Sequence, residues 1–199
     1  MRQKYKILII VLIVILIPAG FYGLMTLMNN MEQENFYNTI KNVSDNENIT
    51  DGPISETIMD KNLNITKAID AEVGNSKTLN SSIATLKELN ESLRNDTLKE
   101  YVNIEIRRMQ EEVKVADKVI KYAYELRDYN NGKISSSEML SYYNQYEKDI
   151  AKLGTRVDDA KTDAMEFLTA HPDMKEKFDE LGIDEDFMIL EQGPKSSKT

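Results

Sequence analysis

The apolar positions of the chain form one unbroken stretch near the start and several periodic stripes after it. Residues 7–28 contain no charged side chain. As a helix rising ~1.5 Å per residue they would span roughly 33 Å, more than the ~30 Å hydrocarbon core of a bilayer. The stretch predicts a transmembrane helix over residues 7–28, in which Pro18 would produce a kink. No later stretch approaches this length, so we expect a single-pass protein.

The distribution of positive charge predicts the orientation of this helix. Three Lys or Arg residues lie within residues 1–6, and none follows the span until Lys41. This bias predicts a cytoplasmic N-terminus and an extracytoplasmic C-terminal domain at the cell membrane. The alternative is a signal peptide cleaved near residues 18–20. The apolar side chains that resume at 21–28, and the lack of an A-x-A site, favour a retained signal anchor.

The rest of the chain divides by composition. Residues 29–53 are expected to be a juxtamembrane segment and linker, because 44–53 is polar. Residues 54–190 carry amphipathic patterns and are expected to form an extracytoplasmic helical bundle. Residues 191–199 are expected to be a disordered tail.

Three long helices are predicted, at about Ile54–Leu93, Thr97–Tyr129 and Ser136–Ala170. In the second and third, apolar residues recur alternately every fourth and third position. The stripe of the second helix is Val102, Ile106, Met109, Val113, Ala116, Ile120 and Ala123. That of the third is Met139, Tyr143, Tyr146, Ile150, Leu153, Val157, Ala160, Ala164 and Phe167. Such heptads indicate coiled-coil-like packing, and short connections make neighbouring helices antiparallel. The predicted fold is all-α: a transmembrane helix, an elongated antiparallel three-helix bundle, and one or two short C-terminal helices over 173–181 and 184–190.

Local motifs predict where these helices begin and end. Capping boxes are predicted at Thr97–Glu100 and Ser135–Glu138, and a left-handed cap at Asn131–Gly132. His171–Pro172 should end the third helix. In the first helix, Gly74–Asn75 interrupts the stripe and predicts a kink or a division.

Composition excludes several classes of chemistry. The chain has no Cys, which removes disulfides, Cys-ligated metals and thiol catalysis. The net charge of −9 argues against nucleic-acid binding, which needs a basic surface. His171 is the only histidine, and no phosphate-binding or hydrolase motif occurs. We expect no enzymatic activity and no cofactor.

A weak calcium candidate lies at the second helix connection. Residues 131–138 match the second half of an EF-hand loop, but Arg127 and Tyr129 occupy positions where oxygen ligands are needed. A loop one residue short would use Asp128, Asn130, Asn131 and Glu138. The simpler interpretation is a helix-to-helix turn with no metal.

The N-glycosylation pattern Asn-x-Ser/Thr occurs six times, at Asn42, Asn48, Asn64, Asn80, Asn90 and Asn95. All six would lie outside the membrane. They are either glycan sites or a consequence of a composition rich in Asn, Ser and Thr. A glycan at Asn90 conflicts with the first helix stripe, unless Leu89 takes the core position.

Six of the ten tyrosines lie between Tyr122 and Tyr146, flanking the second helix connection. Tyrosine is enriched at binding surfaces and membrane interfaces. The alternative is structural: Tyr143 and Tyr146 fall on the core stripe, and the others cover the end of the bundle.

The sequence predicts a membrane-anchored extracytoplasmic helical interaction or scaffold protein. Its expected partners are the lipid bilayer, through residues 7–28, and either another protein or further copies of the chain. The alternative function is an extracytoplasmic ligand- or metal-binding module that acts, like a sensor, with a partner subunit.

Overall fold

The computed structural model describes residues 25–47 and 65–183, and within them it contains five helices and no strand. The helices are α1 (residues 25–47), α2 (Ile65–Ser92), α3 (Asp96–Asn130), α4 (Ser136–Ala170) and α5 (Pro172–Leu181). The all-α prediction is confirmed. The predictions for residues 7–24, 48–64 and 184–199 lie outside the described residues.

The chain divides into two compact units, residues 1–38 and 39–199. In the described part of the first unit, the rings of Phe36 and Tyr37 pack edge to face with centroids 5.1 Å apart. The apolar side chains at its start are exposed: Met25, Leu27, Met28 and Met31. No helix of the described residues is long and apolar enough to span a bilayer.

The second unit begins with the last two turns of α1. Ile40, Val43, Ser44 and Glu47 recur at helical spacing and are all buried. Residues 44–47 are therefore helical, although their polar composition had predicted a linker. Composition misled here because Glu47, a residue that normally stays in water, finds a buried cationic partner on α3.

Helix α3 packs against both α2 and α4, which is consistent with a bundle. Its pairing with α4 is antiparallel, because Tyr101 contacts Phe167 near one end and Tyr122 contacts Tyr146 near the other. Where α5 folds back, the Phe178 ring packs edge to face on Tyr101 at 5.2 Å. This part holds the most completely buried side chains, which include Leu86, Val102, Met109 and Ala164.

The other part of the α3–α4 pair is less buried than the stripes predicted. Val113 and Ile120 are only half-buried, and Tyr143, predicted as core, is 38% exposed. A heptad stripe predicts which residues face a neighbouring helix, but it does not predict how completely that neighbour covers them. Tyr143 lies at the margin of that seam, 6.3 Å from the Tyr122 ring.

The helix ends confirm one capping box and correct the other. Ser135 and Glu138 form the reciprocal box that begins α4. At α3 the cap is Asn95, not Thr97: its Oδ1 accepts hydrogen bonds from the backbone N–H groups of Thr97 and Leu98 at 2.9 and 3.2 Å. Both Asn and Thr can cap a helix, and Asn95 reaches the free N–H groups first along the chain.

Two details of α2 differ from simple stripe reasoning. The helix continues through Gly74 without a division. Leu89 takes the core position and is buried, while Asn90 is half-buried and its Nδ2 donates to Asn103 Oδ1 on α3 at 3.1 Å. The stripe shifts by one residue because an apolar side chain gains more from burial than an amide does.

Candidate functional site

The ends of α3 and α4 next to their connection carry six tyrosines, and four of them lie together. The Tyr122 ring contacts the rings of Tyr143 and Tyr146, and Tyr142 lines a groove with Tyr122 and Tyr146. We call Tyr122, Tyr142, Tyr143 and Tyr146 the tyrosine face. Tyr124, two positions after Tyr122, lies on the other side of α3, and Tyr129 contacts Ser136 at the helix connection. Tyr142 and Tyr143 are 39% and 38% exposed.

The centre of the tyrosine face is an ordered stack. The Tyr122 and Tyr146 rings lie 4.3 Å apart and within 20° of parallel. Beside them, Lys118 Nζ on α3 donates to Asp149 Oδ2 on α4 at 2.6 Å. The hydrogen bond from Lys118 holds the pKa of Asp149 below its ordinary value. Ring stacking and a cross-helix ion pair together fix the register of the two helices here.

The outer tyrosines are held by polar contacts. The Tyr143 hydroxyl donates to Glu147, and the Arg127 guanidinium lies 4.7 Å from the centre of the Tyr124 ring. The hydrogen bond to Glu147 raises the pKa of Tyr143, so its hydroxyl stays protonated as a donor. Restrained aromatic side chains lose little conformational freedom on binding, which suits them to contact another surface.

A shallow groove of about 70 Å³ runs across the tyrosine face. It is lined by Lys118, Lys121, Tyr122, Glu125, Tyr142, Gln145, Tyr146 and Asp149. Pockets for small organic ligands are usually at least ~300 Å³. The groove therefore fits a few side-chain atoms from another surface better than it fits an enclosed ligand.

The region around the tyrosine face is electrically balanced. Residues 110–156 contain eight Lys or Arg and eight Asp or Glu residues, and so carry no net charge. The chain as a whole carries −9, so this excess lies entirely elsewhere. Two negatively charged molecules repel each other least where their surfaces are locally neutral, so this region is the most favourable for association between copies of the chain.

A second concentration of functional groups is buried at the end of α1. Arg108 of α3 is 1% exposed and contacts three carboxylates. Its Nη2 donates to Glu47 at 3.0 Å, its Nε to Glu105 at 2.9 Å, and its Nη1 to both oxygens of Glu112 at 2.9 Å. We call these four residues the Arg108 cluster. Sequence reasoning missed it, although Glu105, Arg108 and Glu112 do stand at helical i,i+3 and i,i+4 spacing.

Burial shifts the acid–base properties of the Arg108 cluster. Desolvation raises the pKa of Glu47 to about 8, and the nearby Arg108 only partly opposes this. Burial alone would lower the pKa of Arg108, but Glu105, Glu112 and Glu47 outweigh it, so its pKa rises well above the ordinary value. The same burial raises the pKa of Tyr101. Arg108 is therefore permanently charged, while Glu47 titrates near neutral pH.

The predicted calcium residues take part in the α3–α4 turn. Asp128 accepts an ion-pair contact from Lys133 at 2.9 Å, and the Glu138 carboxylate accepts from the Ser135 backbone N–H at 2.8 Å. Asn130 ends α3 and Asn131 is its C-cap, and Gly132 supplies the left-handed turn at φ 72°. Within the described residues, no group of three His, Cys, Asp or Glu could hold a metal ion. The calcium alternative stays a prediction.

The predicted glycosylation residues lie in different environments. Asn42 and Asn95 are exposed. Asn80 is exposed too, but its Nδ2 donates to the Ser76 carbonyl at 2.7 Å, while the Asn90 amide is committed to Asn103. Asn48 and Asn64 lie outside the described residues. Modification at any of these sites stays a prediction.

Comparison of the chain with protein-family models, with curated proteins and with solved structures finds no match.

Proposed function

We propose that this protein is a membrane-anchored, extracytoplasmic helical interaction protein, and that two copies associate through the tyrosine face. The observation that carries the proposal is the ordered but exposed aromatic cluster on a neutral part of an acidic chain. Residues predicted for a core, such as Tyr143, are left at the surface with their rings restrained. A second tyrosine face would complete that core.

The membrane anchor is proposed from the uncharged stretch at 7–28 and the basic residues before it. The exposed side chains of Met25, Leu27, Met28 and Met31 support it, because four large apolar side chains within seven residues are unfavourable in water and favourable in lipid. The proposed orientation places residues 29–199 outside the cytoplasm.

A second copy is favoured as the partner by the charge pattern of the groove. Its lining carries both signs, with Lys118 and Lys121 near Glu125 and Asp149. In a two-fold interface each patch meets itself, so a patch with both signs can be complementary to its own copy. A strongly one-signed patch would instead repel its copy and require a different partner.

The size of the surface predicts a weak association. About 17 residues on each of two helices give a strip roughly 25 Å long and ~20 Å wide, or about 500 Å² per copy. Stable interfaces usually bury ~800 Å² per partner. The proposed dimer therefore depends on the membrane tether, which raises the effective concentration of each copy near the other.

Site-directed photo-crosslinking of the full chain in a membrane tests the proposal. Because the chain lacks Cys, Gln145→Cys, which lines the groove of the tyrosine face, can carry a single benzophenone. Glu166→Cys, also exposed on α4, is the matched control. A mixture of ordinary and ¹⁵N-labelled chains distinguishes links between copies from links within one copy.

We expect links between copies from position 145 to peptides of residues 110–156, and few from position 166. Tyr142→Ser, which removes an exposed ring that lines the groove, should weaken the links about tenfold, as expected when one contact of ~1.4 kcal/mol is lost. Met165→Ser, which replaces an exposed apolar residue away from the tyrosine face, should not. Links only within one copy, only to other proteins, or equal from both positions would refute the proposed dimer.

A further inference from the structure

The Arg108 cluster has a charge imbalance in a place that excludes water. One guanidinium contacts three carboxylates, and two of these, Glu47 and Glu105, are 8% or less exposed at their side chains. Among the described residues of this cluster, one positive charge faces three negative ones, two of them buried, and a buried excess charge is expensive. The arrangement is more favourable when one carboxylate holds a proton.

Glu47 is the carboxylate placed to take that proton. Glu112 is 21% exposed and partly hydrated, and it contacts Arg108 through both oxygens. Glu47 is almost fully buried and contacts Arg108 through one oxygen. Glu105 is equally buried and contacts Arg108 through one oxygen, but it also accepts a hydrogen bond from the Tyr101 hydroxyl, which stabilises its charged form. Among the described residues, the titratable groups that act on Glu47 are Arg108, Glu112, Glu105 and Tyr101, all on α3. A neutral Glu47 can still accept the hydrogen bond from Arg108 Nη2 through its carbonyl oxygen.

The contact has a structural consequence because of where Glu47 lies. It is the last described residue of α1, and Ile40, Val43 and Ser44 bury the same side of that helix. The Glu47–Arg108 ion pair joins residues that are 61 positions apart in the chain. The charge state of one carboxylate therefore bears directly on the attachment of residues 39–47 to α3.

We propose that the Arg108 cluster is a proton-binding site, and that the proton on Glu47 fastens residues 39–47 to α3. Uptake of one proton reduces the net charge of the cluster from −2 to −1 and strengthens the attachment. Loss of the proton, as the surroundings become more alkaline, weakens it. The end of α1 then becomes a segment whose docking depends on the pH around the protein.

The direction and the pH window follow from the two pKa values of Glu47. The ordinary value is 4.5, and burial raises it to about 8 in the attached state. Below about pH 4.5 both states are protonated and the attachment is strongest. Between about pH 4.5 and about pH 8, Glu47 keeps its proton only in the attached state. The free energy of attachment therefore falls as the pH rises through this window and stays constant above it.

Cysteine labelling of the full chain tests the proposal, since the chain has no Cys of its own. Val43→Cys, buried on the attached side of α1, reports release of the segment. Asn46→Cys, exposed on the same helix, corrects for the pH dependence of the thiol itself. Leu86→Cys, fully buried on α2, reports unfolding of the bundle.

We expect Val43→Cys to react faster than Leu86→Cys at every pH, because the end of α1 releases before the bundle unfolds. Its corrected rate should rise on the order of 100-fold between about pH 5.5 and about pH 7.5, as one released proton allows at most tenfold per pH unit. Adding Glu47→Gln should abolish this rise. Adding Asp45→Asn, which removes an exposed carboxylate two residues away, should leave it unchanged.

Two results would overturn the proposal. One is a corrected rate for Val43→Cys that does not depend on pH, or whose dependence survives Glu47→Gln. The other is an equal rate for Val43→Cys and Leu86→Cys, which would mean that residues 39–47 leave α3 only when the bundle unfolds. If Val43→Cys itself prevents folding, Ile40→Cys, buried on the same side of α1, provides the same measurement.

Discussion

Replacing Arg108 with Met is the most demanding test of how the buried charges are held. The side chain is 1% exposed and contacts Glu47 and Glu105, whose side chains are 8% and 3% exposed. Methionine fills a similar volume without a charge, so the change removes the ion pairs without opening a large cavity.

The magnitude follows from the contacts that are lost. A hydrogen bond to a charged group contributes about 1.5–3 kcal/mol, and Arg108 makes one to each of two buried carboxylates. Removing one partner of a buried ion pair typically costs 3–5 kcal/mol. We expect Arg108→Met to lower the free energy of unfolding by about 3–5 kcal/mol at neutral pH.

Urea unfolding of the full chain, followed by circular dichroism at 222 nm, measures this difference. Arg107→Met is the matched control, since Arg107 is the next residue and pairs with Asp163, but its side chain is 52% exposed. Exposed ion pairs contribute about 0–1 kcal/mol, so this variant should change little. Equal effects of the two substitutions would refute the argument that burial makes Arg108 important. Adding Glu47→Gln and Glu105→Gln to Arg108→Met should recover part of the loss.

The other predictions concern the helix ends, and the same urea titration measures them. Asn95→Ala should lower the free energy of unfolding by about 1 kcal/mol because it removes the N-cap of α3. Glu100→Ala, at the predicted capping-box position that the structure does not use, should lower the free energy of unfolding less than half as much. A larger loss for Glu100→Ala than for Asn95→Ala would show that Thr97–Glu100 caps the helix. Gly132→Ala should destabilise by about 1 kcal/mol, because its φ of 72° is strained for alanine. Gly154→Ala inside α4, where an added Cβ meets nothing within 4 Å, should raise the free energy of unfolding by roughly 0.5–1 kcal/mol. If both glycine substitutions stabilised the protein, or both destabilised it, this explanation would be wrong.

Much of the helical architecture was determined by the sequence alone. The spacing of apolar residues from Val102 to Ala123 and from Val157 to Phe167 specifies helices, because only a helix places such positions on one side. The short connections specify antiparallel neighbours. The turn at Gly132 and the box at Ser135 follow from local hydrogen bonding, which involves residues close together in the chain. The uncharged stretch at 7–28 predicts a membrane anchor on the same kind of local evidence.

The tertiary structure decided what depends on residues far apart in sequence. A stripe shows which side of a helix faces a neighbour, but not how completely that side is covered, and so Tyr143 was predicted as core and lies at the surface. Glu47 belonged to a polar stretch and was predicted to be linker. Its burial depends on Arg108, 61 positions later, and no periodicity within either segment records that pairing. Local spacing determines the helices, whereas the burial of each charge depends on the partners that packing brings to it.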